Sequence, residues 1–177
     1  MIESSSDNCD QASTETDAEQ LALSALDARG LPFPLDPAAL ALFESRFNQI
    51  PAMRHMGARL ALSAPSRVCV HLAEVQAHHR GGMGTEAVNG AVLSGLADCA
   101  LGVAGVLQFN AERAGTVEMS IKFLRATLGH SVTAHAVALK RSDSVVFAEA
   151  ELYCEGKLSA LATGMVSRPN RLSGERF

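Results

Sequence analysis

Residues 89–110 read NGAVLSGLADCALGVAGVLQFN, an apolar stretch with a single charged residue. This composition predicts one long helix that is enclosed on every side, because a surface helix would carry a polar face. At about 100° per residue, small residues and one acid fall on a single stripe of this helix. The stripe consists of Ala91, Ser94, Gly95, Asp98, Gly102 and Gly105. We therefore expect a sheet to wrap the helix and another element to approach the stripe closely.

The single charged residue is Asp98, near the middle of the stretch. An ionised carboxylate in an apolar environment is costly unless it is paired or faces a wet cleft. Two interpretations are open. Asp98 is either a structural group, bonded to backbone donors or to an arginine such as Arg125, or a group that acts on a substrate.

Alternation of apolar and polar residues on both sides of this helix predicts strands. In residues 116–123, for example, Val117, Met119, Ile121 and Phe123 share one face, and the polar residues share the other. The six predicted strands cover residues 59–63, 67–72, 116–123, 131–139, 145–154 and 158–166. Short connections make neighbouring strands antiparallel. Two strands, one long helix and four strands predict an α+β fold.

Capping signals predict two helices ahead of the strands. Thr16 and Glu19 form a capping-box pattern, which begins a short helix that ends at Gly30. Asp36, followed by a proline, begins a second helix that runs to about Asn48.

The chain has 177 residues, enough for one ordinary domain with an extension. Its first residues are rich in Ser, Asp and Glu and have too little apolar surface to offset the entropy of ordering. The predicted organisation is a disordered acidic tail (1–15), a helical extension (16–50), one domain (51–170) and a C-terminal tail (171–177).

The charge distribution argues against nucleic-acid binding. Six of the 19 acidic residues and none of the 15 basic residues lie in residues 1–20, which leaves 13 acids against 15 bases elsewhere. No basic block is interleaved with aromatic residues, so the chain lacks an obvious platform for stacking bases.

The cysteine pattern and the N-terminal composition predict a cytoplasmic protein. The four cysteines are far apart and include no Cys-x-x-Cys motif, so we expect neither a zinc site nor a disulfide framework. The acidic N-terminus is the reverse of a secretory signal, and Asp98 interrupts the apolar run 91–107. We therefore expect no export and no membrane span.

Residues 88–102, VNGAVLSGLADCALG, resemble the hotdog-fold acyl-CoA thioesterases of the phenylacetate-degradation type. The signature of that family is His-Gly-Gly, a few apolar residues, then Leu-Ala-Asp and small residues. The likeness continues in residues 117–125, VEMSIKFLR, and covers about residues 50–168. It implies a hotdog fold, in which an antiparallel sheet wraps around a long central helix. It also implies hydrolysis of acyl-CoA thioesters to the free acid and CoA, with neither a metal nor a cofactor.

The resemblance implies that Asp98 is the catalytic carboxylate, acting as general base or as nucleophile. It also implies that the helix N-terminus around Gly90 binds the thioester carbonyl oxygen, a role that suits free N–H groups at the positive end of a helix. Asn89 and Asp98 are nine residues apart, which is about 13.5 Å of rise and 900° of rotation. Since one copy cannot hold both beside one carbonyl, we expect a homodimer or a dimer of dimers with shared sites.

The sequence departs from the family pattern at three positions. Asn89 stands where the family usually has His, Ala91 where it has the second Gly, and Met83 where a site Asn is common. Asn89 either holds the thioester or only caps the helix. Cys99 is predicted to be a core residue rather than a nucleophile.

Several further residues are candidates for substrate binding. The full candidate set is Met83, His79, Arg80, Ala91, Ser94, Lys122 and Arg125. For His79 and Arg80 the alternative is a solvated basic turn, and for Lys122 and Arg125 it is a solvated charge. The last two are implied by resemblance to meet the phosphates or the pantetheine arm of CoA.

Two other functions compete with thioester hydrolysis. Residues 82–87 match the Gly-x-Gly-x-x-Ala form of a dinucleotide-binding turn, but hairpins follow the helix where that fold needs alternating strands and helices. The three departures from the family pattern keep a non-catalytic acyl-CoA-binding or regulatory hotdog protein as the alternative.

Overall fold

The computed structural model describes residues 7–81 and 86–169. The helices are α1 (Asp7–Arg29), α2 (Pro37–Phe47), α3 (Pro51–Met56) and α4 (Gly90–Gln108), and a short 3-10 turn covers Ala77–His79. The strands are β1 (Ala58–Ala61), β2 (Arg67–Leu72), β3 (Gly115–Phe123), β4 (Val132–Arg141), β5 (Val145–Cys154) and β6 (Lys157–Ser167).

The six strands form one antiparallel sheet in the order β1-β2-β4-β5-β6-β3. The long helix α4 packs across one face of this sheet, which we call the inner face. The predicted α+β hotdog fold, with an antiparallel sheet around a long central helix and a helical extension ahead of it, is confirmed. The ends of β2 and β5 agree with the prediction, and the ends of the other strands differ from it by no more than two residues.

Small side chains set the spacing between α4 and the sheet. The inner-face alanines in the core are Ala134, Ala136, Ala148, Ala150, Ala160 and Ala162. On the helix, a Cβ at Gly105 would overlap the side chain of Val166. On the sheet, a Cβ at Gly164 would lie 3.2 Å from Cδ1 of Leu101 in α4. The helix therefore lies close to the strand backbones, and larger residues at these positions would push it away.

One side of α4 is not covered by the sheet, so the prediction of a helix enclosed on every side is wrong. Ala91 and Asp98 are exposed, and Gly95 and Gly102 are half-buried. We call the surface formed by these four residues the small-residue face. The apolar composition did not reveal it, because Gly and Ala expose little apolar area and their exposure costs little free energy.

By length and composition alone, α4 could also cross a membrane. Its bulky residues are nevertheless buried against the sheet, as in a core helix of the same composition. The buried residues with larger side chains are Leu93, Leu96, Leu101, Val103 and Leu107.

Helix α1 packs on the sheet through β4 and β6, whereas α3 reaches α4, because a Cβ at Gly95 would lie 3.8 Å from the Met56 side chain. Leu26 of α1 is fully buried, and Arg29 of α1 forms an ion pair with Glu149 of β5, with Nε and Oε1 2.8 Å apart. Helix α2 begins as predicted, because the Asp36 carboxylate accepts the Ala39 N–H at 2.8 Å.

Two predictions about the N-terminal region are wrong. Helix α1 begins at Asp7 rather than at Thr16, so residues 7–15 are helical and do not belong to a disordered tail. No Gly or Pro interrupts residues 7–29, so the backbone continues the helix past the capping-box pattern. The short helix α3 was not predicted. Residues 1–6 and the predicted tail 171–177 lie outside the described residues.

Candidate active site

The N-terminus of α4 leaves one backbone donor unpaired. Asn89 accepts the Ala91 N–H through Oδ1 at 2.8 Å. Its carbonyl accepts the Val92 and Leu93 N–H groups at 2.9 and 3.2 Å. Within the described part of the chain, the Gly90 N–H has no hydrogen-bond partner. A free N–H at the positive end of a helix suits the negative oxygen of a reacting thioester.

Asn89 is a helix cap, which is one of the two roles that the sequence left open. Its Nδ2 donates to the Gly81 carbonyl at 2.7 Å, while its Oδ1 holds the Ala91 N–H. Both polar atoms of this side chain are therefore used within the protomer.

A cavity of about 360 Å³ lies beside this helix end, and we call it the helix-end cavity. It is lined by Ala87, Val88, Gly90, Leu93, Phe123, Leu124, Arg125, Ala126 and Thr127. The Phe123 ring lies against Gly90, since a Cβ at residue 90 would be 3.3 Å from the ring atom Cζ. A side chain at position 90 would therefore require the ring to move by a few tenths of an ångström.

A second cavity, of about 540 Å³, lies between the β3–β4 loop and the β5–β6 turn, and we call it the loop cavity. It is lined by residues 125–130 together with Cys154, Glu155, Lys157 and Ser159. Residues 125–127 line both cavities. The loop cavity carries the basic residues Arg125 and Lys157 and one acid, Glu155, whose carboxylate accepts the His130 N–H at 2.8 Å.

Asp98 lies on the small-residue face, about 12 Å along the helix axis from Gly90. The sequence suggested that the Asp98 carboxylate is buried in an apolar environment. In the single chain it is instead exposed to water. No hydrogen bond or ion pair reaches it from the residues that the structure describes, and the structural pairing with Arg125 is not formed. Burial and the neighbouring Asp98 carboxylate raise the pKa of the Cys99 thiol to about 11, which keeps that thiol protonated.

His79 and Arg80 hold the segment before α4 in place. His79 is buried, its Nδ1 accepts the Gln76 N–H at 3.0 Å, and burial lowers its pKa. The Arg80 guanidinium donates to the carbonyls of Glu86 and Gly129 at 2.7 and 3.0 Å. These contacts replace the predicted solvated turn, and contact of either residue with substrate stays a prediction.

The structure does not bring all the candidate residues together. Lys122 lies on the outer face of the sheet, where it lines a cavity of about 150 Å³ with Glu149 and Glu151. Ser94 donates its hydroxyl to the Gly90 carbonyl at 2.8 Å, a bond within the helix. Met83 lies outside the described residues. Among the residues described, no group of three or more His, Cys, Asp or Glu is placed to hold a metal ion.

Two residues at the helix-end cavity were not among the candidates. Alternation placed Phe123 on the inner face of its strand, but its contact with Gly90 depends on the position of α4. Thr127 had no signal in the sequence. Its hydroxyl is buried and has no hydrogen-bond partner among the residues that the structure describes.

Comparison with known proteins identifies the family. The family model for the thioesterase superfamily matches residues 86–160. A mutant form of the phenylacetic acid degradation protein PaaI from Thermus thermophilus is 32% identical, with 67% of this chain and 99% of that chain covered and a TM-score of 0.57. The chain belongs to the thioesterase superfamily.

Other solved structures agree with this thioesterase fold. The TT0310 protein, also from Thermus thermophilus, is 31% identical, with 68% of this chain and 99% of that chain covered and a TM-score of 0.58. The Escherichia coli PaaI protein is 20% identical over 75% of this chain and 94% of its own, with a TM-score of 0.63, and shows the fold alone. No curated protein matches the sequence. The resemblance to hotdog thioesterases of the phenylacetate-degradation type is confirmed, and membership supports acyl thioester hydrolysis as the general reaction.

Proposed function

We propose that this thioesterase-superfamily protein hydrolyses acyl-CoA thioesters to the free acid and CoA. The observation that carries the proposal is Asp98, a carboxylate without a protein partner among the described residues, on an otherwise uncharged helix face. A carboxylate in this position is free to act on a water molecule or a carbonyl carbon brought to that face.

The proposed site is shared between two copies of the chain. Asp98 and the unpaired Gly90 N–H are about 12 Å apart along α4, too far to serve one carbonyl group. A second copy packed on the small-residue face would bring its own Gly90 towards Asp98. The edge strand β3 adds apolar surface for such contact, because Val117 is 63% exposed and Phe123 is 51% exposed. The assembly is then a homodimer or a dimer of dimers with equivalent sites.

The reaction follows from these two groups. The Gly90 N–H of one copy binds the thioester oxygen, which becomes negative when the carbonyl carbon is attacked. Asp98 of the other copy either removes a proton from the attacking water or attacks the carbon itself, in which case it forms a mixed anhydride that water then hydrolyses. The C–S bond then breaks, the CoA sulfur takes a proton, and water supplies the oxygen of the acid product.

The two cavities fit the two ends of such a substrate. The helix-end cavity is mostly apolar and suits an acyl group. The loop cavity carries Arg125 and Lys157 and suits the phosphate-bearing arm of CoA. Arg125 lines both cavities, and we assign it to contact with that arm.

Hydrolysis of a panel of aliphatic and aryl acyl-CoAs, followed by thiol release, tests the proposal. Asp98→Asn keeps the shape of the side chain and should lower turnover by at least about 100-fold. Asp143→Asn is the matched control, because Asp143 is an exposed acid in the β4–β5 turn, and it should turn over at the wild-type rate. An Asp98→Asn protein that hydrolyses acyl-CoA at the wild-type rate would disprove the mechanism.

Binding of acyl-CoA without hydrolysis is the second candidate function. The observation in its favour is Asn89, which takes the place of the family His and uses Oδ1 to cap α4 and Nδ2 to bond the Gly81 carbonyl. Saturable binding of an acyl-CoA by calorimetry, with no thiol release from any member of the panel, would establish this function instead.

A further inference from the structure

The Thr127 hydroxyl is buried and unpaired within the described residues. Thr127 is 2% exposed, and its Oγ1 has no hydrogen-bond partner among the described residues. A hydroxyl in this state has lost its hydrogen bonds to water without replacing them, which disfavours folding. The fold uses the main chain of this residue instead, because the Thr127 carbonyl accepts the Val88 N–H at 2.8 Å.

The same main-chain bond places Thr127 beside the N-terminus of α4. Val88 is the residue before the cap Asn89, so Thr127 is tied to the point where the helix begins. Thr127 and Gly90 both line the helix-end cavity. Two residues that each carry a donor without a partner in the described part of the chain, one a hydroxyl and one a backbone N–H, therefore line the same cavity.

We infer that the Thr127 hydroxyl is the second hydrogen-bond donor to the thioester carbonyl oxygen, beside the Gly90 N–H. The inference rests on the proposed hydrolysis and names a further catalytic residue for it. Oxyanion sites work through donors that are fixed before the reaction and directed at the oxygen that becomes negative. The Gly90 N–H supplies one donor to the oxygen, and the Thr127 hydroxyl would supply a second.

The hydroxyl forms no covalent bond in this step. When the carbonyl carbon is attacked, its oxygen gains negative charge and the hydrogen bond from Thr127 becomes stronger. The hydroxyl keeps its proton. When the C–S bond breaks, the oxygen returns to a neutral carbonyl group in the acid product.

The inference predicts opposite effects of one substitution on stability and on activity. Thr127→Val has nearly the same shape but lacks the hydroxyl. Because that hydroxyl has no hydrogen-bond partner in the described part of the chain, the melting temperature should stay at or above the wild-type value. With the acyl-CoA that the wild type hydrolyses best, kcat should fall about 100-fold while KM changes little. Thr127→Ser should restore most of the lost kcat.

Thr133→Val is the matched control. The Thr133 hydroxyl lies 2.7 Å from Nδ1 of His71 on the outer face of the sheet, away from α4. Its removal should lower the melting temperature, while the folded protein keeps the wild-type kcat. A Thr127→Val protein with wild-type kcat, or one that loses stability and activity together and is not rescued by Ser, would overturn the inference. The rate of the wild-type protein tests the proposed hydrolysis separately. If the wild type and Thr127→Val hydrolyse a substrate at the same rate, the proposed hydrolysis stands and only the role of Thr127 is wrong.

Discussion

Complementation between two inactive variants tests whether the site is shared between two copies. Asp98→Asn removes the carboxylate from the small-residue face. Gly90→Val adds a side chain beside the unpaired N–H, where even a Cβ would lie 3.3 Å from Cζ of Phe123. The two further methyl groups of valine would displace the ring and fill the space that a thioester oxygen needs. Each variant alone should retain about 1% of the wild-type rate or less.

The expected rate of the mixture follows from the geometry. Gly90 and Asp98 of one copy are about 12 Å apart, so each site takes one group from each copy. After subunit exchange at equal concentrations, half of the dimers contain one copy of each variant. Each mixed dimer has one site with both groups intact and one site with both changed. About a quarter of all sites are therefore intact, and the mixture should recover about a quarter of the wild-type rate.

Thiol release before and after subunit exchange measures the recovery, and native mass spectrometry of differently tagged chains confirms that mixed dimers have formed. Two tagged Asp98→Asn proteins mixed in the same way form the control and should remain inactive. If mixed dimers form and the rate stays at that of the parent variants, both groups act within one copy, and the argument for a shared site is wrong.

Three further predictions concern stability. Burial lowers the pKa of His135 to about 4, so the unfolded chain alone takes up this proton as the pH falls below about 6.5. The free energy of unfolding should therefore fall by up to about 3 kcal/mol between pH 6.5 and 4, and His135→Leu should flatten this part of the curve in urea titrations. Gly105→Ala should destabilise the fold by about 1–3 kcal/mol in the same assay, because its Cβ would overlap Val166. Deletion of residues 1–15 should leave the melting temperature nearly unchanged, since α1 is anchored at Leu26. A large fall in the melting temperature, measured by thermal unfolding, would contradict this.

Local signals were sufficient for most of the fold. The apolar run of α4 and the alternation of the strands are properties of neighbouring residues, and the ends of β2 and β5 were predicted to the residue. The cap of α2 at Asp36 depends on residues three positions apart. The capping-box pattern at Thr16 failed because the same residues are also tolerated inside a helix.

The site depended on contacts that the sequence does not encode locally. Asp98 was singled out from the sequence as a functional candidate, but its exposure follows from the side of α4 that the sheet covers. The alternation in β3 already placed Lys122 on the face opposite Phe123. The structure agrees with that alternation and does not bring Lys122 to the helix-end cavity. The lack of a partner for the Thr127 hydroxyl depends on segments that are distant in sequence.

The alanines of the inner face determine a distance in the candidate active site. They let α4 lie close to the strands, and this closeness brings Gly90 against the ring of Phe123. A methyl group added to any of these alanines would lift the helix and widen the gap at its N-terminus, although none of them touches the helix-end cavity. The width of the proposed acyl-binding space would thus be controlled by core residues that do not line it. Variation at these buried alanines offers this thioesterase a way to accept a larger acyl group without changing a residue that contacts it.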